Sequence, residues 1–455
     1  MKDEVNAKIG LEIHVPLRTR RKLFCNCPTN YWEAEEPNTN TCPVCTGMPG
    51  SKPYALNQEA VDATIMIAEL LDCEVQKENI FVKRKHYDYP DLPSGYQRTS
   101  EPVGVKGNLD GVGIWEVHFE EDPGRYDLKT GRVDYNRSGV PLIEIVSAPD
   151  MKTPNDVRAF MRSLVNILKY SEKTVEVGGV MRADVNISIE GGAKVEIKNV
   201  NSVAGAFKAI QYEIVRQKNM MKRGATVIQE TRGFNEKTMV TVSQRLKETA
   251  ADYRYIPDPD IPPQLLSQEH INSIELPETP QLRKKRLIEK YSVREDYALT
   301  MVRDKDIADL FEKIAPTSDP QLASMWICRE VLHQLNYRNI ELSESKLTHE
   351  IISELLSIVG SGEVTENVGK KILERVIDSG ESPKKIVETE GLGKVSGVDQ
   401  LSKVVDEILK ANPAAAQDYK NGQENALNYL MGRVMAQMRG TADNKVVIKL
   451  LKEKI

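Results

Sequence analysis

Ile9-Gly10-Leu11-Glu12-Ile13-His14-Val15 is the stretch that decides how the first half of the chain folds. Ile9, Leu11, Ile13 and Val15 are apolar, and Gly10, Glu12 and His14 fill the positions between them. A period of two predicts a strand with one face in a core and the other open. The same alternation recurs outward from it. Trp115, Val117 and Phe119 alternate with Glu116, His118 and Glu120. Ala183, Val185, Ile187 and Ile189 alternate with Arg182, Asp184, Asn186 and Ser188. The turn Glu190-Gly191-Gly192-Ala193 then leads to Val195 and Ile197, alternating with Lys194, Glu196 and Lys198, which reads as a hairpin. Strands of this kind predict a half-open antiparallel sheet. Two helices interleave. One follows the start signal Thr153-Pro154-Asn155 with the stripe Val157, Phe160, Met161, Leu164 and Leu168; Ser202 caps the other, whose stripe is Val203, Phe207, Ile210 and Ile214. Regular strand–helix–strand alternation is missing, which disfavours a Rossmann-type fold.

The predicted class is α+β, with a sheet domain over 1–265. Pro257, Pro259, Pro262 and Pro263 end regular structure there. A proline-rich linker and connecting helix follow over 266–292, then a helical domain over 293–412. A small helical tail domain spans 413–455. The tail carries seven Lys/Arg against four Asp/Glu, a net of +3 on a chain whose formal charge is -5. That asymmetry points to a polyanion partner, or to an ordinary solvated helix face.

The 455 residues suggest about three domains, at roughly 150 residues each. Hydrophobic content of 40% supports packed cores and excludes collagen-like and disordered classes. Apolar runs fall far short of the ~20 residues of a spanning helix, and Met1 to Lys8 is too polar for a signal peptide. Six cysteines, four of them crowded between Cys25 and Cys45, do not form a secreted disulfide framework. A cytoplasmic protein without membrane contact is expected.

Three constellations carry chemistry. Cys25 and Cys27, followed by Cys42-Pro43-Val44-Cys45, suit tetrahedral Zn²⁺. A closed four-thiolate site leaves no open position, so this zinc is read as structural. Cys73 and Cys328 read as small buried apolar residues. The second constellation is acidic. Glu12 and His14 lie about 7 Å apart on one strand face. Glu120 sits on a polar strand face with Glu121 and Asp122 after it, and Glu144 interrupts the apolar run Pro141 to Val146. Such groups on neighbouring strands suit Mg²⁺, or are surface acids paired with Lys and Arg. The third is Lys85 to Gln97, whose aromatic, Pro and Gly residues predict a pocket-lining loop or a cover for the core. Glu196 to Ser202, Arg245-x-Lys247-Glu248 and Asp252 to Tyr255 are weaker candidates for phosphate or ribose. No GxxxxGK, GxGxxG or GxSxG motif occurs, so any ATP is held by metal and side chains on a sheet.

With these segments in hand, the chain resembles the B subunit of the aspartyl/glutamyl-tRNA amidotransferase, from Ile9 to the C-terminus. The resemblance rests on Gly10 to His14, Cys42 to Gly50, Tyr89 to Gln97, His118 to Asp122 and Asp134 to Val146. Asp184 to Ser188, Glu196 to Ser202 and Asp252 to Asp260 extend it. It implies a catalytic cradle of antiparallel sheet similar to glutamine synthetase, then a helical domain and a tRNA-gripping tail. It further implies an ATP-dependent carbon–nitrogen ligase. The side-chain carboxylate of Asp-tRNA(Asn) or Glu-tRNA(Gln) is phosphorylated, then amidated with ammonia from glutamine. The amidase (A) partner supplies the ammonia and the small (C) partner stabilises the assembly; the cognate aminoacyl-tRNA synthetase is a further candidate partner. Catalytic positions carried over from the resemblance are Glu12, His14, Glu121 and Glu144. With Glu120 these are the implied Mg²⁺ ligands. Lys85, Tyr89, Tyr96, Gln97, Asp184, Asn186, Lys198 and Asn199 match ATP- or substrate-binding positions. Cys25, Cys27, Cys42 and Cys45 match the zinc ligands of metal-bearing members. Two rival readings remain at this level: a non-catalytic tRNA-binding scaffold, and a ligase for free amino acids.

Overall fold

The computed structural model describes residues 7–87, 89–175, 181–246, 254–338, 340–395, 398–438 and 440–455, with side chains at all of these except 199, 245, 246 and 398–400. Two compact units divide the chain, Met1–Thr279 and Pro280–Ile455.

The first unit is built on a 12-stranded sheet. Its central strand is Ala7–Pro16, flanked antiparallel by Pro141–Ser147 on one side and Arg182–Ile189 on the other. Beyond Pro141–Ser147 the order continues through Val112–Glu121, Tyr96–Ser100, Val82–His86 and the short Ile256–Pro257. Beyond Arg182–Ile189 come Val195–Val200, Glu230–Asn235 and Val240–Leu246. Ladders along this path are antiparallel, apart from Val195–Val200 with Glu230–Asn235, which is parallel. The class is therefore α+β with an antiparallel-dominated sheet. The hairpin forms where alternation predicts it, with Gly191 at φ +82° in the turn, a conformation that suits glycine.

Ile9, Leu11, Ile13 and Val15 all bury on one sheet face, with Val117, Phe119, Ile143, Ile145, Val185 and Ile187. Helices Gln58–Leu70, Pro154–Ser171 and Val203–Lys222 complete that core. Both predicted caps form. Thr153 and Asp156 exchange reciprocal side-chain to backbone bonds, and Ser202 Oγ accepts from Gly205 N at 2.9 Å. Helix Gln58–Leu70 gives no signal in the sequence because Ala60 to Ala68 is buried nearly all round, which erases the 3.6-residue stripe. The segment Lys85 to Gln97 is a loop only in its middle. Its ends belong to paired strands, with Lys85 opposite Gln97 and His86 opposite Tyr96. Val82-Lys83-Arg84-Lys85-His86 is too polar to announce itself as a strand.

The second unit is helical and holds two apolar cores. One gathers Leu287, Phe311, Trp326, Leu355, Ile372 and Val376. The other joins Leu401, Val405 and Ile408 of helix Val398–Ala411 to Leu430, Val434, Val447 and Leu451. Among the described residues, no helix is long and apolar enough to cross a membrane.

Candidate active site and metal centres

The sheet face opposite the core carries most of the candidate residues. Alternation brings Glu12, His14, Glu116, His118, Glu120, Glu144, Asp184, Asn186, Glu196 and Lys198 onto it. His14 lies opposite Glu144, Glu144 opposite His118, Glu12 opposite Asp184, and Asn186 opposite Glu196.

These residues sort into groups. In the first, His14 Nε2 lies 3.2 Å from Glu120 Oε1 and 3.5 Å from Glu144 Oε1. One ligand atom from each of the three lies within 4.8 Å of the others. Burial would lower the imidazole pKa, but Glu120 and then Glu144 outweigh it and hold His14 at about 10. Burial pushes Glu144 up, yet His14, His118 and Lys85 draw it down to about 2. His118 is a site neighbour whose role the strand pattern alone did not reveal. Its Nδ1 faces the Ser100 carbonyl at 2.9 Å and its Nε2 faces Glu116 Oε2 at 3.1 Å. A carbonyl only accepts, so Nδ1 carries a proton.

In the second group, Glu12, Asp184 and Glu196 also offer atoms within 4.8 Å of one another. Here a cation is built in. Lys198 Nζ lies 2.6 Å from Asp184 Oδ2 and 3.0 Å from Glu196 Oε1. Burial lowers the Lys198 pKa, but Asp184 and Glu196 more than offset it and raise it above its ordinary value. Asn186 Nδ2 donates to Glu12 Oε1 at 2.9 Å.

Glu121 stands apart from both. Arg98 Nη1 lies 3.4 Å from its carboxylate oxygens, while Arg98 Nε donates to the buried Asp258 at 2.8 Å. Arg84 donates to the same Asp258 at 2.8 and 2.9 Å. Gln97 Nε2 donates to the Glu121 carbonyl at 2.7 Å, and Arg98 donates to the Tyr96 hydroxyl at 3.1 Å. Tyr96, Gln97, Arg98, Glu121, Cys45 and Ser138 help line a cavity of about 20 Å³. So of the residues expected to share one Mg²⁺, the structure brings His14, Glu144 and Glu120 together. Glu12 joins the neighbouring group, and Glu121 pairs with Arg98. Glu120 and Glu121 are adjacent in sequence, and a strand sends adjacent side chains to opposite sides.

Lys85 places its charge near Glu144. Tyr89 is exposed, edge-on to Tyr126 at 6.0 Å between ring centres. Asn199 lies in strand Val195–Val200, and its side chain falls outside the described residues. Lys247, Glu248, Asp252 and Tyr253 fall outside them too, as does the Arg245 side chain.

The four cysteines meet. Their sulfurs all lie within 4.8 Å of one another, with Cys45 Sγ at 4.0 Å from Cys27 and 3.9 Å from Cys42. Zn–S bonds of about 2.3 Å in a tetrahedron imply S···S separations of about 3.8 Å, so the set fits a metal ion. A hydrogen bond from Cys25 outweighs burial and, with Lys22, draws Cys45 down to about 5. Burial and the neighbouring sulfurs push Cys27 up to about 12.

Comparison with known proteins adds an independent finding. The GatB/GatE catalytic domain model matches residues 7–272, and the GatB domain model matches residues 309–455. The chain is 49% identical over 450 residues to the B subunit of the aspartyl/glutamyl-tRNA(Asn/Gln) amidotransferase of Methanothermobacter thermautotrophicus, covering 98% of this chain and 100% of that one. It is 50% identical over 467 residues to the protein of the same name from Methanocaldococcus jannaschii, covering 100% of this chain and 98% of that one. It is likewise 50% identical over 457 residues to that of Methanopyrus kandleri, covering 99% of each. Matches that span both units at this identity leave one assignment: the chain belongs to the B-subunit family of aspartyl/glutamyl-tRNA(Asn/Gln) amidotransferases.

Proposed function

We propose that this chain is the kinase and transamidase of its complex. It takes Asp-tRNA(Asn), Glu-tRNA(Gln) or both. The γ-phosphoryl of ATP passes to the side-chain carboxylate, ADP leaves, and ammonia then displaces phosphate from the acyl carbon to give the amide. Partners are the amidase, which releases ammonia from glutamine, the small stabilising protein of the complex, and the tRNA, with the net-positive tail 413–455 as a tRNA contact. The cognate synthetase is a further partner in this reading, and the cytoplasm is the compartment. The zinc of the cysteine loop is structural.

The observation that carries this reading is the convergence of His14, Glu120 and Glu144 from three adjacent strands. These three would hold Mg²⁺, which supplies positive charge between two anions that otherwise repel. The chain's own residues do the rest. Glu120 is buried and holds the His14 ring in place. Lys85 and His118 offset the charge of Glu144. Glu12, Asp184, Asn186 and Lys198 extend the polar face toward nucleotide and substrate, as do Tyr89, Tyr96 and Gln97 on the other side, and Asn199 is a further substrate position in this reading. Glu121, paired with Arg98, contributes a carboxylate in the neighbouring cavity that Tyr96 and Gln97 help line.

The test uses the assembled complex with ATP and misacylated tRNA, with either glutamine or ammonium as the nitrogen source. Glu144→Gln is expected to abolish amidation from both sources while tRNA binding persists. Full amidation by that variant would reject the assignment.

A further inference from the structure

Lys22 is among the most deeply buried side chains of the protein, with 0% of its surface exposed. Lysine is almost never sealed in this way without a negatively charged partner. Among the described residues no carboxylate pairs with it. Its Nζ lies 2.8 Å from the Asn40 carbonyl, 3.3 Å from the Tyr135 carbonyl and 3.5 Å from Cys45 Sγ. Two neutral carbonyls repay only part of an ammonium's lost hydration. Among the described residues, the hydrogen-bond partner of Lys22 Nζ that becomes an anion is the Cys45 sulfur.

The backbone of the same residue ties the other half of the cluster, because Lys22 N donates to the Cys27 carbonyl at 3.0 Å. Lys22 therefore touches both cysteine pairs. Cys45 Sγ also accepts from Cys42 N at 3.2 Å, so it receives two donors. A divalent ion with four thiolates carries two excess negative charges, and a buried ammonium offsets one of them.

We infer that Lys22 is a positioning residue of the metal centre: its buried ammonium donates to the Cys45 thiolate and clamps the Asn40 and Tyr135 backbone around the four sulfurs. This rests on the reading that the cysteines hold a divalent metal. The consequence reaches beyond the loop. A Cβ on Gly139 would lie 3.5 Å from Cys45 Cβ, 3.7 Å from Lys22 Cδ and 3.8 Å from Glu121 Oε1. Gly139, which lines the cavity that holds Glu121, therefore has both the lysine stem and the Glu121 carboxylate as neighbours.

The test is made on the full chain loaded with zinc, or with cobalt as a coloured substitute. Lys22→Met keeps the length of the side chain and removes the donor. It is expected to lose zinc to a competing chelator at least about tenfold more readily, in the range of lost outer-shell partners. The cobalt–thiolate charge-transfer band should move to longer wavelength, because a sulfur without its donor is easier to oxidise. Wild-type zinc retention together with an unshifted band would overturn the inference. A second measurement needs no variant. An amine-reactive label on the wild-type chain should spare Lys22 while zinc is bound and modify it after chelation. Equal protection with and without metal would also overturn it. A wild-type chain that binds neither zinc nor cobalt would sink the metal reading itself, which is a different outcome from unchanged binding in the variant.

Discussion

Two clusters on one sheet face offer the same number of ligand atoms and differ in their cation. Around Glu12, Asp184 and Glu196 the positive charge is the Lys198 ammonium, at 2.6 and 3.0 Å from two of the carboxylates. Around Glu120 and Glu144 it is the ring of His14, at 3.2 and 3.5 Å. An ammonium has three donors and no lone pair, so it fills a metal position and cannot become a ligand. An imidazole can give up its proton and offer nitrogen to an ion. Geometry alone therefore nominates both clusters, whereas the chemistry of the cation separates a preloaded ion-pair network from a ligand set that can take a metal.

The largest expected effect tests that separation directly. Glu144→Gln should lower Mg²⁺-dependent amidation by about a hundredfold or more, as when a charge-stabilising group is lost. Glu196→Gln should cost less than about tenfold, because Lys198 keeps Asp184 as a partner. Equal losses in kcat for the two variants would erase the distinction.

A third charged group, Arg98 between Glu121 and Asp258, extends the contrast to stability. Asp258→Asn leaves two arginines beside a neutral amide and should destabilise the sheet unit by about 3 kcal/mol in chemical denaturation. The sign of the pH dependence follows from the carboxyl group. Burial raises the Asp258 pKa, but the hydrogen bonds from Arg84 and Arg98 outweigh it and hold the value below the ordinary one. The folded state thus takes up the proton less readily than the unfolded one. The contribution is complete above the ordinary carboxylate value near about pH 4 and fades as pH falls through the lower folded value. The stability gap between wild type and Asp258→Asn should close as pH drops below about 4. A gap that stays constant from neutral to strongly acid pH would falsify the assignment.

The smallest effect concerns the preloaded cluster. Lys198→Met should cost about 1 kcal/mol in Mg²⁺-free buffer, since the lysine is partly exposed and the pair partly hydrated. Added Mg²⁺ should restore the melting temperature of this variant, while at the same cluster the wild type gains nothing. A variant indifferent to Mg²⁺ would mean that the three carboxylates do not converge enough to take an ion.

Much of the fold was readable from the chain alone. Ile9 to Val15 and Arg182 to Lys198 carry a period of two, and the stripe after Thr153-Pro154-Asn155 carries a period near 3.6, because one face of each element meets a core and the other meets water. Helix Gln58–Leu70 and strand Val82–His86 were not readable, the first apolar nearly all round and the second polar nearly throughout. Neither presents two unlike faces. The cysteine pairs were legible because both lie in short turns, so spacing along the chain nearly fixes spacing in space.

By itself, then, the sequence settled which side chains of the alternating strands point away from the core: Glu12, His14, Glu120, Asp184 and Glu196, whereas Glu144 stood out only as a carboxylate inside an apolar run. That is a matter of parity, and parity survives any arrangement of the strands. Only the tertiary structure decided which of them meet. Strand order set Pro141–Ser147 beside Ala7–Pro16 and registered Glu144 against His14, while Arg182–Ile189 on the other flank took Glu12 toward Asp184. Which strand neighbours which depends on long-range packing of the apolar face, and no local pattern in the polar residues encodes it.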